Sequence, residues 1–290
     1  MLTVAYAASI GGMATLVGSP PNTQMAGTLS STFGIHISFW QWMKIGLPVS
    51  LVIFLILNMF FQIILGSQRN DEVVINLNQS KWTIPQKRVL ITFGLVILLW
   101  VTRGLIVDYT GVTFKDSSVA ILGAIMLFII PSKVTEEKLL KWSDTIKIPW
   151  GILVLFGGGI ALASSLEKSH VLELVFQSAN SISSWHYFYL LLLVISISIF
   201  ATELMSNLAL VSVLVPIIAM LALGMGQSVL ALCIPLTLAA SCAFMMPIST
   251  PPNAIVFSSG KISIEQMAAY GFFMNLFSVL IIVIYSYFFL

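Results

Sequence analysis

The sequence predicts an all-α polytopic membrane protein whose helices are interrupted at two places. Composition predicts the membrane. Of 290 residues, 58% are hydrophobic and 8% charged, and the mean hydropathy is +1.02. Soluble domains carry about 25% charged residues, and a single soluble core cannot hide this much apolar surface. Two short stretches predict the interruptions: "GSPPN" at 18–22 and "STPPN" at 249–253, each inside an apolar run. Proline removes a backbone donor and clashes with the preceding turn. Every backbone group freed in this way needs a partner where there is no water.

The chain opens with a half-helix over 1–17, a break at Gly18–Asn22 and a second half-helix from Thr23. Met1 leads straight into small apolar residues with no basic leader, so no signal peptide is expected. A span needs about 20 apolar residues, and 40–65, 89–108, 149–165 and 266–290 qualify, with 117–131 a shorter candidate. The polar loops 66–88 and 132–148 carry Arg69, Lys81, Lys87, Arg88, Lys133, Lys138, Lys141 and Lys147. Two spans separate them, so they share a side. The positive-inside rule makes that side cytoplasmic and places 109–116 and Leu290 outside. Residues 166–185 read as an interfacial segment, with Leu172, Leu174, Val175 and Phe176 against Glu167, Lys168, Glu173 and Gln177. Arg103 and Asp108 read as a snorkelling pair at the outer end of their span. Gly157–Gly159 reads as close helix packing, with a hinge as the other option.

The run from Tyr187 to Leu223 is apolar almost throughout but is interrupted by "ATELMSNLAL" at 201–210. Two full spans with a tight turn are one reading. The other is a re-entrant hairpin turning at Ser206–Asn207. The polar residues lie at the centre of the run and no Lys or Arg flanks the turn, which favours the hairpin. Its exposed helix ends are tolerated only where they line a cavity, and discontinuous helices mark transporter sites. Glu203, the one acid in this run, is a functional candidate by its depth. It reads as a support for a cation, a proton-linked group, or a group hydrogen-bonded within the hairpin.

The last interrupted segment runs over 228–248, breaks at "STPPN" and continues from Ala254 to about Gly260. "AASIGGMATLVGSPPN" (7–22) and "AASCAFMMPISTPPN" (239–253) both open on Ala-Ala-Ser and close on a hydroxyl residue and Pro-Pro-Asn. Internal repeats predict interruptions at matching positions.

Several function classes find no support. Cys233 and Cys242 lie in apolar runs and read as small buried residues. His36, His170 and His186 are scattered without zinc spacing. There is no phosphate-cradling glycine loop and no nucleophile elbow, so the chain is not read as an enzyme, and no nucleic-acid partner is indicated.

"ATELMSNLALVSVLVPI", "SCAFMMPISTPPNAIVF", "IPWGILVLFGGGIALA" and "SIGGMATLVGSPPN" resemble the divalent-anion:sodium symporter family, which carries dicarboxylates, citrate or sulfate with sodium. The resemblance covers essentially the whole chain and implies an inverted-repeat secondary transporter with re-entrant hairpins and broken helices. Residues 1–65 then read as the remnant of the first repeat (a broken helix and one span) and 66–88 as a cytoplasmic linker. Residues 89–290 read as the second inverted repeat, with hairpin 187–223 and broken helix 228–259. The first repeat is incomplete, its hairpin being absent.

By that resemblance Ser206 and Asn207 contact the anion, facing Thr250 and Pro251 from one break and Ser19 and Pro20 from the other. One sodium takes oxygens from Thr202, Met205, Asn207 and Ser249, and a second uses Gly18. The family's tip triplet is Ser-Asn-Thr, and here Leu208 stands in its third place. The expected function is sodium-coupled transport of a small divalent anion such as succinate, citrate or sulfate, by a multi-pass protein of the plasma or inner membrane. Sodium is the coupling ion, and no cofactor is expected. Partners are the anion, sodium and the bilayer. The resemblance also implies a homodimer, which no residue here indicates. Two alternatives stay open: a non-transporting truncated fragment, which the chain length favours, and a related carrier for another ion such as arsenite.

Overall fold

The computed structural model describes residues 1–66, 82–112, 114–132, 137–147, 150–169 and 186–290. Most of the expected interfacial segment, at 170–185, and most of the linker, at 67–81, lie outside the described residues.

The regular elements are helical. They are α1 Leu2–Met13, α2 Pro20–Phe33, α3 Phe39–Leu65, α4 Ile84–Thr110, α5 Asp116–Ile129, α6 Trp150–Lys168, α7 Tyr187–Thr202, α8 Asn207–Gly224, α9 Val229–Ala240, α10 Pro251–Ser258 and α11 Ile264–Phe289, with a 3₁₀ turn at Trp142–Lys147. Among the described residues, α3, α4, α8 and α11 are long and apolar enough to cross a membrane. Their outward faces carry large exposed apolar side chains such as Leu51, Phe54, Leu90, Ile91, Phe273 and Leu280, as surfaces in contact with lipid do.

The helices form two compact units. One comprises α1, α2, most of α3, nearly all of α6, and α7–α11; the other comprises α4, α5 and the 3₁₀ turn, together with Ser38–Trp40. In the second unit α4 starts on a capping box between Thr83 and Gln86 and α5 packs on it, Gly123 giving room to Val96. Arg103 pairs with Asp116 at 2.8 Å; the side chain of Asp108, its expected partner, lies outside the described residues. Asp116 is the first residue of α5, where a negative charge meets the positive end of the helix dipole. It also accepts from the backbone N–H of Phe39 at 3.0 Å, so it ties three segments together.

In the first unit α9 is the centre. It packs against α2, α7, α8 and α11, and each of its residues except Leu230 is buried. A helix apolar all round belongs in an interior. At 12 residues it is about 18 Å long, which is half a membrane. The expected half-helix over 228–248 is therefore corrected: the helix stops at Ala240, and residues 241–250 run without helix. The first half-helix is corrected likewise, ending at Met13 instead of residue 17.

The Pro-Pro-Asn triplets are also placed differently from the sequence expectation. They do not lie in the breaks. They open α2 and α10, with the prolines at the first and second helical positions. Those positions have no intrahelical acceptor for their N–H, so proline loses nothing there, and its fixed φ suits a helix start. The two interrupted segments cross reciprocally: α1 packs on α10, and α2 packs on α9.

Candidate functional site

Three helices begin at one cavity of about 340 Å³. Its wall holds the cap and first two residues of α2 (Ser19, Pro20, Pro21), of α8 (Ser206, Asn207, Leu208) and of α10 (Thr250, Pro251, Pro252). Ala8, Ser9 and Gly12 of α1, with Gly18, Ser241 and Ser249, complete it. No Lys, Arg, Asp or Glu lines it among the described residues. Positive potential comes instead from helix N-termini, but unequally. The opening residues of α8 keep N–H groups that no intrahelical carbonyl reaches; the first helical bond is from Leu210 N–H to Ser206 O. In α2 and α10 two such donors are missing because the residues are prolines. There the hydroxyls of Ser19 and Thr250 stand in.

Each interruption is closed by its asparagine. Asn22 Nδ2 donates to Thr15 O at 2.9 Å and Gly12 O at 3.3 Å. Asn253 Nδ2 donates to Met246 O at 3.1 Å and Ala243 O at 3.0 Å. The sequence separations are seven and ten residues in both. Both side chains are fully buried. One amide thus satisfies two carbonyls at or just beyond the end of the preceding half-helix, where regular backbone partners run out.

Oxygens gather beside these helix starts. Thr202 Oγ1 lies 2.6 Å from Asn207 Oδ1 and 2.9 Å from Ala240 O. A hydroxyl has one proton, so it serves only one of these two acceptors. Ser249 Oγ donates to Glu203 Oε2 at 2.7 Å, which leaves its lone pairs and its carbonyl for other partners. Met205 is half exposed at the turn between α7 and α8, and only its carbonyl could serve a hard cation. Gly18 approaches Gly12 so closely that a Cβ would stand 2.6 Å from Gly12 O.

The structure brings Ser19, Pro20, Ser206, Asn207, Thr250 and Pro251 to the cavity, along with Gly18 and Ser249. Thr202 and Met205 stand behind it. The sequence analysis did not single out Ser9, Ser241 or the Ala240 carbonyl. The two serines close the matched Ala-Ala-Ser triplets, so the signal was present in the repeat itself. Gly159 is packed against Gln24 and Ser212, with no room for a Cβ, whereas Gly157 and Gly158 meet open space. Of the triplet, the third glycine is therefore the packing residue.

Comparison with known proteins gives a consistent result. The sodium-dependent dicarboxylate transporter SdcS of Staphylococcus saprophyticus is 36% identical over 302 residues, covering 99% of this chain and 58% of that protein. The protein of the same name from Staphylococcus aureus is 36% identical over 306 residues, with the same coverage. The chain thus spans less than two thirds of the length of these relatives. The family described as the sodium:sulfate symporter transmembrane region matches residues 1–289. With that match across almost its whole length, the chain is a multi-pass membrane protein that belongs to the sodium:sulfate symporter family, a family of transporters and not of enzymes.

Proposed function

We propose that this chain forms the substrate site of a sodium-coupled carrier of small divalent anions, dicarboxylates above all. The observation that carries the proposal is the meeting of three helix N-termini at one cavity without a charged side chain. Helix ends, hydroxyls and an amide supply partial charges that bind and let go.

In this reading Ser206 and Asn207 hold one end of the anion with the α8 N–H groups, while Ser19 and Thr250 offer hydroxyls from the other two starts. Pro20 and Pro251 shape the wall. Sodium takes the oxygens of Thr202, Met205, Asn207 and Ser249, with Ala240 O added. A second sodium uses the Gly18 carbonyl. Asn207 serves both ligands, its oxygen turned to sodium and its remaining donors to the anion. Leu208 puts an apolar side chain where a hydroxyl would add a donor, and so favours a substrate with a methylene against that wall.

The architecture proposed is an inverted repeat. α7 and α8 form a re-entrant hairpin with its tip at Ser206–Asn207, and the pairs α1–α2 and α9–α10 are broken helices. Residues 1–65 belong to the first repeat, 66–88 link the two, and 89–290 form the second. The names of the Staphylococcus relatives support dicarboxylate over sulfate as substrate.

The test is sodium-gradient-driven accumulation of succinate, citrate or sulfate in proteoliposomes. Asn207→Ala is expected to abolish it while the amount of protein in the membrane stays the same. Near-normal uptake by Asn207→Ala at saturating sodium would overturn the assignment.

A further inference from the structure

Glu203 is 3% exposed and follows the last residue of α7. Its partners all lie outside the hairpin that carries it. Oε1 accepts from the backbone N–H of Phe244 at 2.7 Å, the N–H of Met245 at 2.8 Å and Asn275 Nδ2 at 2.8 Å. Oε2 accepts from the N–H of Met246 at 3.0 Å and from Ser249 Oγ at 2.7 Å. Five donors converge on two oxygens, the pattern an acceptor-only carboxylate takes. A buried charge is tolerated when hydrogen bonds replace its water, and here they come from a backbone loop, not from a basic side chain.

That loop is the non-helical stretch between α9 and α10. The N–H groups of Ser241 and Cys242 still reach carbonyls of α9, and Glu203 takes the three that follow Ala243 in a row. Its carbonyls at Ala243 and Met246 go to Asn253. The loop is therefore held from two sides, donors on the hairpin's acid and acceptors on the asparagine of α10. Gly271 of α11 lets the loop lie directly on that helix, where a Cβ would collide with Phe244 O. Thr250 and Pro251, at the end of the same loop, form a wall of the cavity, and Ser206 and Asn207, just beyond Glu203 in sequence, form another.

We propose that Glu203 is a positioning residue that locks the second interruption to the hairpin tip. It does not line the cavity. It acts through Ser249 and the amides of 244–246 to fix where Thr250 and Pro251 stand, so the tip and the second break move as one piece. The consequence for ligands rests on the transport reading above; the lock itself does not.

The experiment is hydrogen exchange on the purified chain in detergent, comparing the protein with Glu203→Gln. Glutamine keeps the size but turns an NH2 group toward N–H donors it cannot accept. Exchange at the amides of 244–246 is expected to quicken about tenfold or more, since hydrogen bonds to a charged group are lost, while α8 and α11 keep their rates. Unchanged exchange at 244–246, or equal acceleration along the whole chain, would overturn the proposal. Where Glu203→Gln fails to insert, Ser249→Ala removes one donor only. It is expected to raise exchange at the same amides, about threefold, and no change there would equally overturn the proposal.

A second readout separates positioning from stability. In a Thr250→Cys background the native Cys233 and Cys242 are buried, so a soluble maleimide reports the new thiol. Glu203→Gln should change its labelling rate about tenfold at temperatures well below the melting transition of either protein. An identical rate would sink the proposal. Sodium should slow this labelling when Glu203 is present; absence of any sodium effect counts against the transport reading, and the exchange measurement still decides the lock.

Discussion

The two interruptions share an asparagine closure and differ in what holds the loop. In the first, between α1 and α2, the loop turns on itself. Ala14 N–H reaches Gly11 O at 3.2 Å, Gly18 N–H reaches Thr15 O at 3.2 Å, and Gly12 lies against Gly18. In the second, between α9 and α10, three successive amides are given to an acid from another helix pair. The first loop is encoded locally, by glycines. The second is encoded at a distance, by Glu203. Breaking an apolar helix therefore has at least two solutions, and one chain uses both.

The comparison can be broken at the helix that backs each loop. α3 presents Gly46 to Met13 O, where a Cβ would stand at 2.6 Å, and α11 presents Gly271 to Phe244 even more closely. Gly271→Ala is expected to cost the most, about 3 kcal/mol or more, because backbone and not a flexible side chain must shift. Gly46→Ala should cost somewhat less, and a melting temperature in detergent orders the two. If Gly271→Ala is neutral, the close seat of the second loop on α11 is wrong.

The asparagines sharpen the comparison at an intermediate size. Asn22→Ala and Asn253→Ala each take the amide partner from two carbonyls, most of them part-buried, at about 2 kcal/mol in all. Similar losses in melting temperature are expected from the two. A loss at one and none at the other would show that the closures are not equivalent.

The caps give the smallest and most discriminating effect. Thr250 Oγ1 accepts from Asn253 N–H at 3.4 Å, whereas Ser19 makes no side-chain cap. Thr250→Ala should therefore destabilise by about 0.5–1 kcal/mol, and Ser19→Ala should lie within about 0.5 kcal/mol of the parent. Equal losses would remove this difference between the breaks.

Sequence reading found the interruptions because Pro-Pro-Asn is rare inside an apolar run, and it found the cavity residues because the resemblance could be carried over position by position. It misplaced the helix ends. "SCAFMMPI" at 241–248 is still largely apolar, so its composition alone does not mark Ala240 as the last helical residue. That end is set by partners far along the chain: Glu203 lies 41 residues from Phe244, and Asn275 lies 72 from Glu203. Asp116 as a partner of Arg103 was not foreseen, for a related reason. Asp108 is near it on the same helix, whereas Asp116 reaches it only after the turn at Gly111, which adopts a left-handed conformation at φ 69°.

The reciprocal crossing of the half-helices bears on how the protein is made. α1 packs on α10, and Tyr6 Oη donates to Met267 O, 261 residues further along. At roughly 5–20 residues per second, the ribosome needs on the order of ten to fifty seconds to deliver that partner. A 12-residue helix is about 18 Å long and cannot cross the bilayer alone in the meantime. Until α10 arrives, α1 lacks that partner and rests on α3, where Trp42 Nε1 donates to Met13 O at 2.9 Å. Its final seat is then completed only after α10 and Met267 have followed.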